Sequence, residues 1–406
     1  MSLRSLLVDF NSYFASVEQQ MHPQLRGKPV GVVPSMAPTT CCIAASYEAK
    51  KFGVKTGTLL KDAKQLCPEI IFVEASHEHY VEFHERAKVA VDSVIPIRKV
   101  LSIDEVDCDL PPKARMPEAA RELALKIKRA IYSQVGEHLH TSIGIGPNTF
   151  IAKTASDMMK PNGLVVIEKH ELPHRLFGLK LRDLSGIGKS MEARLNRHGI
   201  TTIEQMANLQ PAQLHTIWGG VGGDRMYQRL HGEWVPDLET QTQSISHSHV
   251  LPPAERNDTD AYAILHRLTQ KAAMRLRKMG YYASHMSVFM KFLNGPTWGR
   301  DSRFAETQDT VVFLRALDSM WQEKPKKRLL KPLAVGMVLH GLVHENEHTG
   351  TLFDNEDARH RLYDAIDQLN VKFGKNTVYF GGAHQARDSA PMRIAFNHIP
   401  DLETEQ

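Results

Sequence analysis

"KVLSIDEVDCDL", residues 99–110, decides how the N-terminal half of the chain is read. Apolar residues alternate with small or polar ones around its middle, as in a half-buried strand, and then two carboxylates, Asp104 and Glu105, stand side by side. On a regular strand neighbouring side chains point to opposite faces, so the two could not share a ligand. They can if they form the tip between two strands, KVLSI and VDCDL. Neither residue favours a two-residue hairpin turn, which wants Asn-Gly or Gly at positive φ. A local rule is therefore broken, and such breaks tend to sit at functional sites. Working outward, residues 3–10 (LRSLLVDF) read as a buried strand that ends near a third carboxylate, Asp9. If these strands are neighbours in one sheet, three acids converge at its edge and repel one another unless cations sit among them. Hard oxygen ligands left partly open are how Mg²⁺ is held at phosphoryl-transfer sites. Two such ions about 3.5–4 Å apart would clamp the attacking and leaving oxygens of an in-line displacement. From the pattern alone a plainer reading stays open, with an exposed acidic turn at 104–105 and a helix cap at Asp9.

The whole chain sets the frame for that site. At 406 residues it is long enough for two to four domains. Its 42% hydrophobic and 24% charged residues are ordinary for a folded soluble protein. No apolar run approaches the roughly 18–20 residues that cross a bilayer, so no membrane partner is expected. The opening MSLRSLLVDFNSYF acquires an Asp too early for a signal peptide. Cys41, Cys42, Cys67 and Cys108 show neither metal-ligand spacing nor a disulfide framework, which suits free thiols in a reducing cytoplasm. Net charge says little, but 14 Lys/Arg against 5 Asp/Glu fall between Arg267 and Lys331. A local surplus of that size suits a phosphate-binding surface, and equally a solvated face.

Along the chain, residues 41–53 turn from a strand-like start into a helix closed by Gly53. Residues 97–110 read as a hairpin and 117–135 as an amphipathic helix. Residues 141–163 run strand, Gly-Pro turn, helix and a Pro-Asn-Gly stop. Short helices with glycine turns fill 175–235. Residues 238–250 read as a polar linker leading into a strand. After it, helix 258–279, strands near 284–293 and 300–306, helix 309–323 and strand 332–344 suggest a small α+β domain. A polar tail with one further helix, 356–369, closes the chain.

Five segments occur in a telling order: VDFNSYFASVE (8–18), AASYEAKKFGVKTG (44–57), SIDE (102–105), SIGIGPNTFIAKTASDMMKPNG (142–163) and LSGIGKSMEARLNRHGI (184–200). Together they resemble the Y-family, or translesion, DNA polymerases, in particular the polymerase IV and polymerase V branches, over residues 3 to about 345. The resemblance implies a multidomain α/β (α+β) right-hand polymerase. Its palm would be 1–10 and 75–166, its fingers 11–74, and its helical thumb 167–238. An α+β little finger would be 245–345, with a C-terminal tail over 346–406. It implies template-directed, low-fidelity deoxynucleotidyl transfer without proofreading, in the bacterial cytoplasm on the nucleoid, by a monomer acting on primer-template DNA and dNTP.

Carried over position by position, the resemblance makes Asp9, Asp104 and Glu105 the catalytic ligands of two Mg²⁺ ions, with Mn²⁺ as a substitute and the backbone carbonyl of Phe10 completing the shell. Phe14 matches the steric gate that excludes a ribose 2′-hydroxyl, with Tyr13 packed behind it. Asn11, Tyr13, Phe14, Tyr47, Lys50 and Lys160 fall at nucleotide-binding positions. Position 50 is Lys where the family commonly has Arg, and a Lys cannot fork two oxygens. An alternative within the resemblance is a catalytically silent adaptor that binds DNA and the sliding clamp; such proteins lack some of the metal carboxylates, and all three are present here.

The stretch SGIGKSMEARL places two glycines at a turn and opens a helix just after Gly188. Backbone N–H groups of Gly186, Gly188 and Lys189 could approach a DNA phosphate there, the helix dipole assisting. That is the helix-hairpin-helix pattern, which carries no sequence preference; a plain helix-helix turn is the alternative. SIGIGPN lacks the third glycine of a dinucleotide fingerprint. Of the 21 histidines, the pairs His77/His79, His138/His140 and His247/His249 have no acidic or Cys companion at zinc-like spacing and read as surface residues. In HTGTLFD (348–354) the resemblance makes Leu352 and Phe353 the anchors of a segment docking on the sliding clamp, although the usual leading Gln is missing.

Overall fold

The structure, a computed structural model, describes residues 3–37, 39–238, 241–325, 330–349, 356–374, 376–389, 394 and 399. The chain divides into two compact units between Leu238 and Glu239.

In the first unit β1 (Ser5–Phe10) leads into α1 (Tyr13–Met21), β2 (Val30–Val33) and β3 (Ala44–Ala45). Next come α2 (Tyr47–Lys51), α3 (Leu60–Leu66), β4 (Ile71–Glu74) and α4 (His77–Asp92). The expected hairpin is β5 (Ile97–Ser102) and β6 (Glu105–Asp109), followed by α5 (Pro117–Gln134), β7 (Thr141–Gly146), α6 (Thr149–Met158) and β8 (Leu164–Val166). Strands β5-β6-β1-β7-β8 form one sheet in that order, and β3-β2-β4 a smaller one. All six residues of β1 are buried, which explains its nearly unbroken apolar run. Asn148 starts α6 by accepting the Ile151 N–H at 2.8 Å. A Cβ at Gly144 would fall 1.9 Å from the Ala152 carbonyl oxygen and 2.3 Å from Ser156 N, so glycine lets α6 lie directly on β7. The glycines of SIGIG thus serve close helix packing.

Four further helices, α7 (Lys189–Arg197), α8 (Ile203–Ala207), α9 (Pro211–Trp218) and α10 (Val221–Leu230), share a core with α6 through Phe150, Ile151, Leu195, Ile203, Leu214 and Leu230. The chain then returns to the large sheet. The Trp234 ring lies 4.0 Å from the Arg4 guanidinium and 5.7 Å from that of Arg98, and Arg98 also bonds Asp237 at 3.0 Å.

The second unit is an antiparallel sheet ordered β11-β10-β12-β9: β9 (Ser244–Val250), β10 (Tyr281–Phe292), β11 (Trp298–Thr307) and β12 (Pro332–His344). Helices α11 (Asp258–Lys278) and α12 (Thr310–Gln322) share one core with it, where Leu276, Phe313 and Leu317 meet Met286, Met290, Val335 and Leu339. One expectation needs correction. The stretch 238–250 is a strand from Ser244 onward, and its alternation puts His249 on the same side as buried Ile245, so His249 is buried rather than a surface residue. The helix expected in the tail is present and slightly longer. Helix α13 (Glu356–Phe373) docks through a two-pronged Arg277–Asp367 ion pair at 2.7 and 3.0 Å and a Tyr363–Asp309 hydrogen bond, while Ala383 and Ala386 are buried beyond it.

Candidate active site

Strand pairing builds the site. In register, Asp9 on β1 stands opposite Glu105 at the start of β6, and the Phe10 N–H donates to the Asp104 carbonyl at 2.8 Å. The tip of the hairpin therefore lies beside the end of β1. Asp9 is 3% exposed. Two ammonium groups hold these acids. Lys153 Nζ lies 2.7 Å from Asp9 Oδ2, 2.8 Å from Glu105 Oε1 and 3.1 Å from Asp157, while Lys160 Nζ lies 2.7 Å from both Asp9 Oδ1 and Asp157. Asp104 turns aside, accepting the Ser102 hydroxyl at 2.6 Å. The expected convergence is thus split: Asp9 and Glu105 share one cation and Asp104 waits next to them. Among the described residues no three acidic, His or Cys side chains stand close enough to hold an ion as they are.

Burial first, with the charge of Asp9 adding to it, lifts both Asp104 and Glu105 above the ordinary carboxylate range. Burial would also depress Lys153, but Asp9, Glu105 and Asp157 outweigh it and raise its pKa. The donor chemistry suits a hard divalent cation: clustered carboxylate oxygens at a sheet edge, already selecting positive charge. Asp9 and Glu105, with Asp104 beside them, are the carboxylates that could hold one if the lysines gave way.

Phe14 lies on α1 with its ring stacked on Tyr80, centroids 4.4 Å apart and planes 15° from parallel. Tyr80 is anchored beneath it, since its hydroxyl donates to Glu18 at 2.7 Å and its carbonyl accepts from the Tyr13 hydroxyl at 2.7 Å. Tyr13 is buried, 5.9 Å from Phe14. Lys50 donates to Ser12 Oγ at 2.7 Å and lies 4.4 Å from the Tyr47 ring centroid. Burial raises the Tyr47 phenol against the opposing pull of Lys160, which puts Tyr47, Lys50 and Lys160 around one space.

Asn11 serves the loop after α6. Its amide is buried, donating to Ser142 Oγ at 3.0 Å and accepting the Asn162 N–H at 2.6 Å, so it ties down the Pro-Asn-Gly turn. Gly186 has φ +89°, which favours glycine, and Gly188 precedes the first turn of α7 with open space where a Cβ would stand. Leu352 and Phe353 lie outside the described residues. Lys153 was absent from the sequence-based set. Its one local signal was the Lys153–Asp157 spacing of four on a helix, which reads first as a surface pair.

A sequence profile of the impB/mucB/samB family matches residues 8–157, and the profile of its C-terminal domain matches residues 242–352. DNA polymerase IV of Moorella thermoacetica is 33% identical over 383 residues, covering 92% of this chain and 94% of that protein. The chain belongs to the Y-family DNA polymerases. DNA polymerase IV 1 of Bacillus subtilis is 27% identical over 408 residues, covering 96% and 95%. Among solved structures, a Y-family chimera of Dbh and Dpo4 matches with a TM-score of 0.70 at 26% identity over 84% of this chain and 99% of that one. An insertion ternary complex of Dbh DNA polymerase matches with a TM-score of 0.56 at 26% identity over the same shares. As a Y-family member this chain is a DNA-directed DNA polymerase of the translesion class, on a mixed α/β fold. The family implies dependence on a divalent metal. No helix among the described residues is long and apolar enough to cross a membrane. Helix α13 and the segment after it lie beyond the matched profiles.

Proposed function

We propose that Asp9, Asp104 and Glu105, with the Phe10 carbonyl, hold two Mg²⁺ ions for transfer of a deoxynucleotide from dNTP to a primer 3′-end on template DNA. The observation that carries this reading is the direct Asp9–Glu105 register beside the Asp104 turn, with ammonium groups already seated among the acids. Bound cations would lower the cost of ionising the primer 3′-hydroxyl and neutralise charge on the departing pyrophosphate. The chain's own part is positioning and charge balance. Tyr47, Lys50 and Lys160 would grip the triphosphate, Lys160 releasing Asp9 as it does so. Phe14, rigid on Tyr80, would lie under the sugar and leave no room for a 2′-hydroxyl.

In this reading the large sheet is the palm, the small sheet with α2 and α3 the fingers, α7–α10 the thumb and the second unit the little finger. Gly186, Gly188 and Lys189 would receive a DNA phosphate through backbone N–H groups. The protein would act as a monomer on the bacterial nucleoid, with Leu352 and Phe353 anchoring it to the sliding clamp.

Primer extension with Mg²⁺ tests the reading. Wild type extends with dNTP; Asp104→Ala loses at least about a thousandfold in kcat, the scale of losing a ligand that places the charge-neutralising group. Phe14→Ala keeps DNA synthesis and begins to incorporate ribonucleotides. Full extension by Asp104→Ala would remove the metal assignment, and a Phe14→Ala enzyme that still rejects ribonucleotides would remove the gate.

A further inference from the structure

The loop that carries Lys160 has two tethers. One is the buried Asn11 amide, which holds the Asn162 N–H, and beside it Ser142 Oγ accepts the Gly163 N–H at 3.3 Å. The other comes from the opposite side. Lys128, on α5, donates to the Thr141 carbonyl, to the Asn162 carbonyl at 3.0 Å and to Asn162 Oδ1 at 2.7 Å. Three protons of one ammonium thus meet three neutral oxygens, and among the described residues no carboxylate forms an ion pair with it. Lysines with carbonyl-type partners alone are unusual, because an ammonium is ordinarily left in water or paired with an acid. The acceptors explain the arrangement. Thr141 opens β7, the strand next to β1, and Asn162 sits at φ +57° two residues beyond Lys160. A fork from Lys128 therefore pins a left-handed residue of the loop to the first residue of the strand beside the Asp9 strand.

We propose that Lys128 is a positioning residue for nucleotide binding: by bridging Thr141 and Asn162 it fixes the loop from which Lys160 reaches the triphosphate. This rests on the reading of Lys160 as a triphosphate ligand. Lys128 does not touch the nucleotide, so its removal acts on affinity more than on turnover. Its chemistry also gives the device a pH range. Burial lowers the Lys128 pKa to about 8, where the ordinary value is 10.5. The titratable neighbour is His140, just before β7, whose own pKa is lowered by burial and then by His138 and Lys128, so it is neutral in this range. Above pH 8 the Lys128 amine keeps two protons for three acceptors, and one tether is lost.

The test is steady-state single-nucleotide insertion by the full-length chain from pH 7 to 9.5, with Lys128→Met, Lys128→Arg and Lys160→Ala. Lys128→Met raises KM for dNTP by about tenfold at pH 7.5, a loss on the scale of a small misplacement, with kcat within about twofold. Wild-type KM climbs several-fold above pH 8, whereas Lys128→Arg, whose guanidinium does not lose its proton there, keeps a low and flatter KM. An unchanged KM in Lys128→Met, or equal pH profiles in wild type and Lys128→Arg, overturns the proposal. So does a parallel fall of kcat, affinity and melting temperature in Lys128→Met without rescue by Arg, which marks a merely structural lysine. Lys160→Ala separates the two readings: if it leaves KM unchanged, the assignment of Lys160 fails, and if it alone raises KM, only the role of Lys128 fails.

Discussion

Lys153→Met keeps a stem of similar length and removes the ammonium that Asp9 and Glu105 share. In the ion-free protein Asp9, with a side chain 4% exposed, would face Glu105 across one strand register with only Lys160 to balance it. Breaking a buried pair costs about 3–5 kcal/mol, and partial exposure of Lys153 and Glu105 brings this to about 3 kcal/mol. For a unit the size of Met1–Leu238, about 2–4 °C per kcal/mol puts the fall in melting temperature at about 6–12 °C in EDTA. Divalent cations then do what the ammonium did. At a hundred times its Kd a bound ion contributes about 2.7 kcal/mol, enough to erase most of the deficit. In the wild type the ion must first displace Lys153 from both carboxylates, so the same addition gains less. Differential scanning fluorimetry of both proteins, in EDTA and across a Mn²⁺ or Mg²⁺ titration, measures all four values. A deficit that is equal with and without metal would refute the idea that Lys153 occupies the cation's place.

Three further outcomes follow from packing and burial. Gly144→Ala puts a methyl 1.9 Å from the Ala152 carbonyl, forcing α6 off β7; it costs about 3 kcal/mol or more by denaturant melt and lowers kcat through the displaced Lys153. Burial holds the Cys42 and Cys108 thiols up at about 11 and about 12, so at pH 8 their thiolate fraction is minute and iodoacetamide leaves both unmodified in the native protein, as peptide mass mapping will show. Arg277→Met leaves Asp367 without its two-pronged partner and loosens α13, at about 2–3 kcal/mol, so limited trypsin digestion cuts after Lys372 well before it does in wild type.

The chemistry that could be read from sequence was local. Period-2 alternation around 99–110 and the apolar run of 3–10 specify strands, but the acid pair is not itself the turn: the tip lies one residue earlier, at Ile103 and Asp104, and Glu105 already pairs as the first residue of β6. What was hidden depended on partners remote in sequence. Asn11 carries no mark that its amide would be taken up by Asn162, 151 residues later. His249 looked like a surface residue because Ser and His alternate along β9 with little contrast in polarity, and only the neighbouring α11 makes one face a core. The docking of α13 uses charged pairs, a tyrosine hydroxyl and small alanines, none of which produces an apolar period.

Three acids at one sheet edge pose a stability problem in the absence of ions, and the fold answers it from α6 and the loop that follows. The helix bears Lys153 and Asp157 one turn apart and ends just before Lys160, so two cations fall within a single stretch of eight residues. They reach Asp9 only because Gly144 lets the helix axis settle onto β7, next to the strand that carries the acid. A bulkier residue at 144 would therefore harm the site without touching it. Each lysine would have a second use if ions bind as proposed, since an ammonium freed from Asp9 would remain close to the negative charge of a bound triphosphate. In the proposed reading, entry to the site would depend on charge exchange at these lysines, which would leave Asp9 and Glu105 free to hold a cation and would offer their ammonium groups to phosphate. Lys128 and Asn11 then matter because Lys160 can trade partners with little reorganisation only if the loop beneath it stays still.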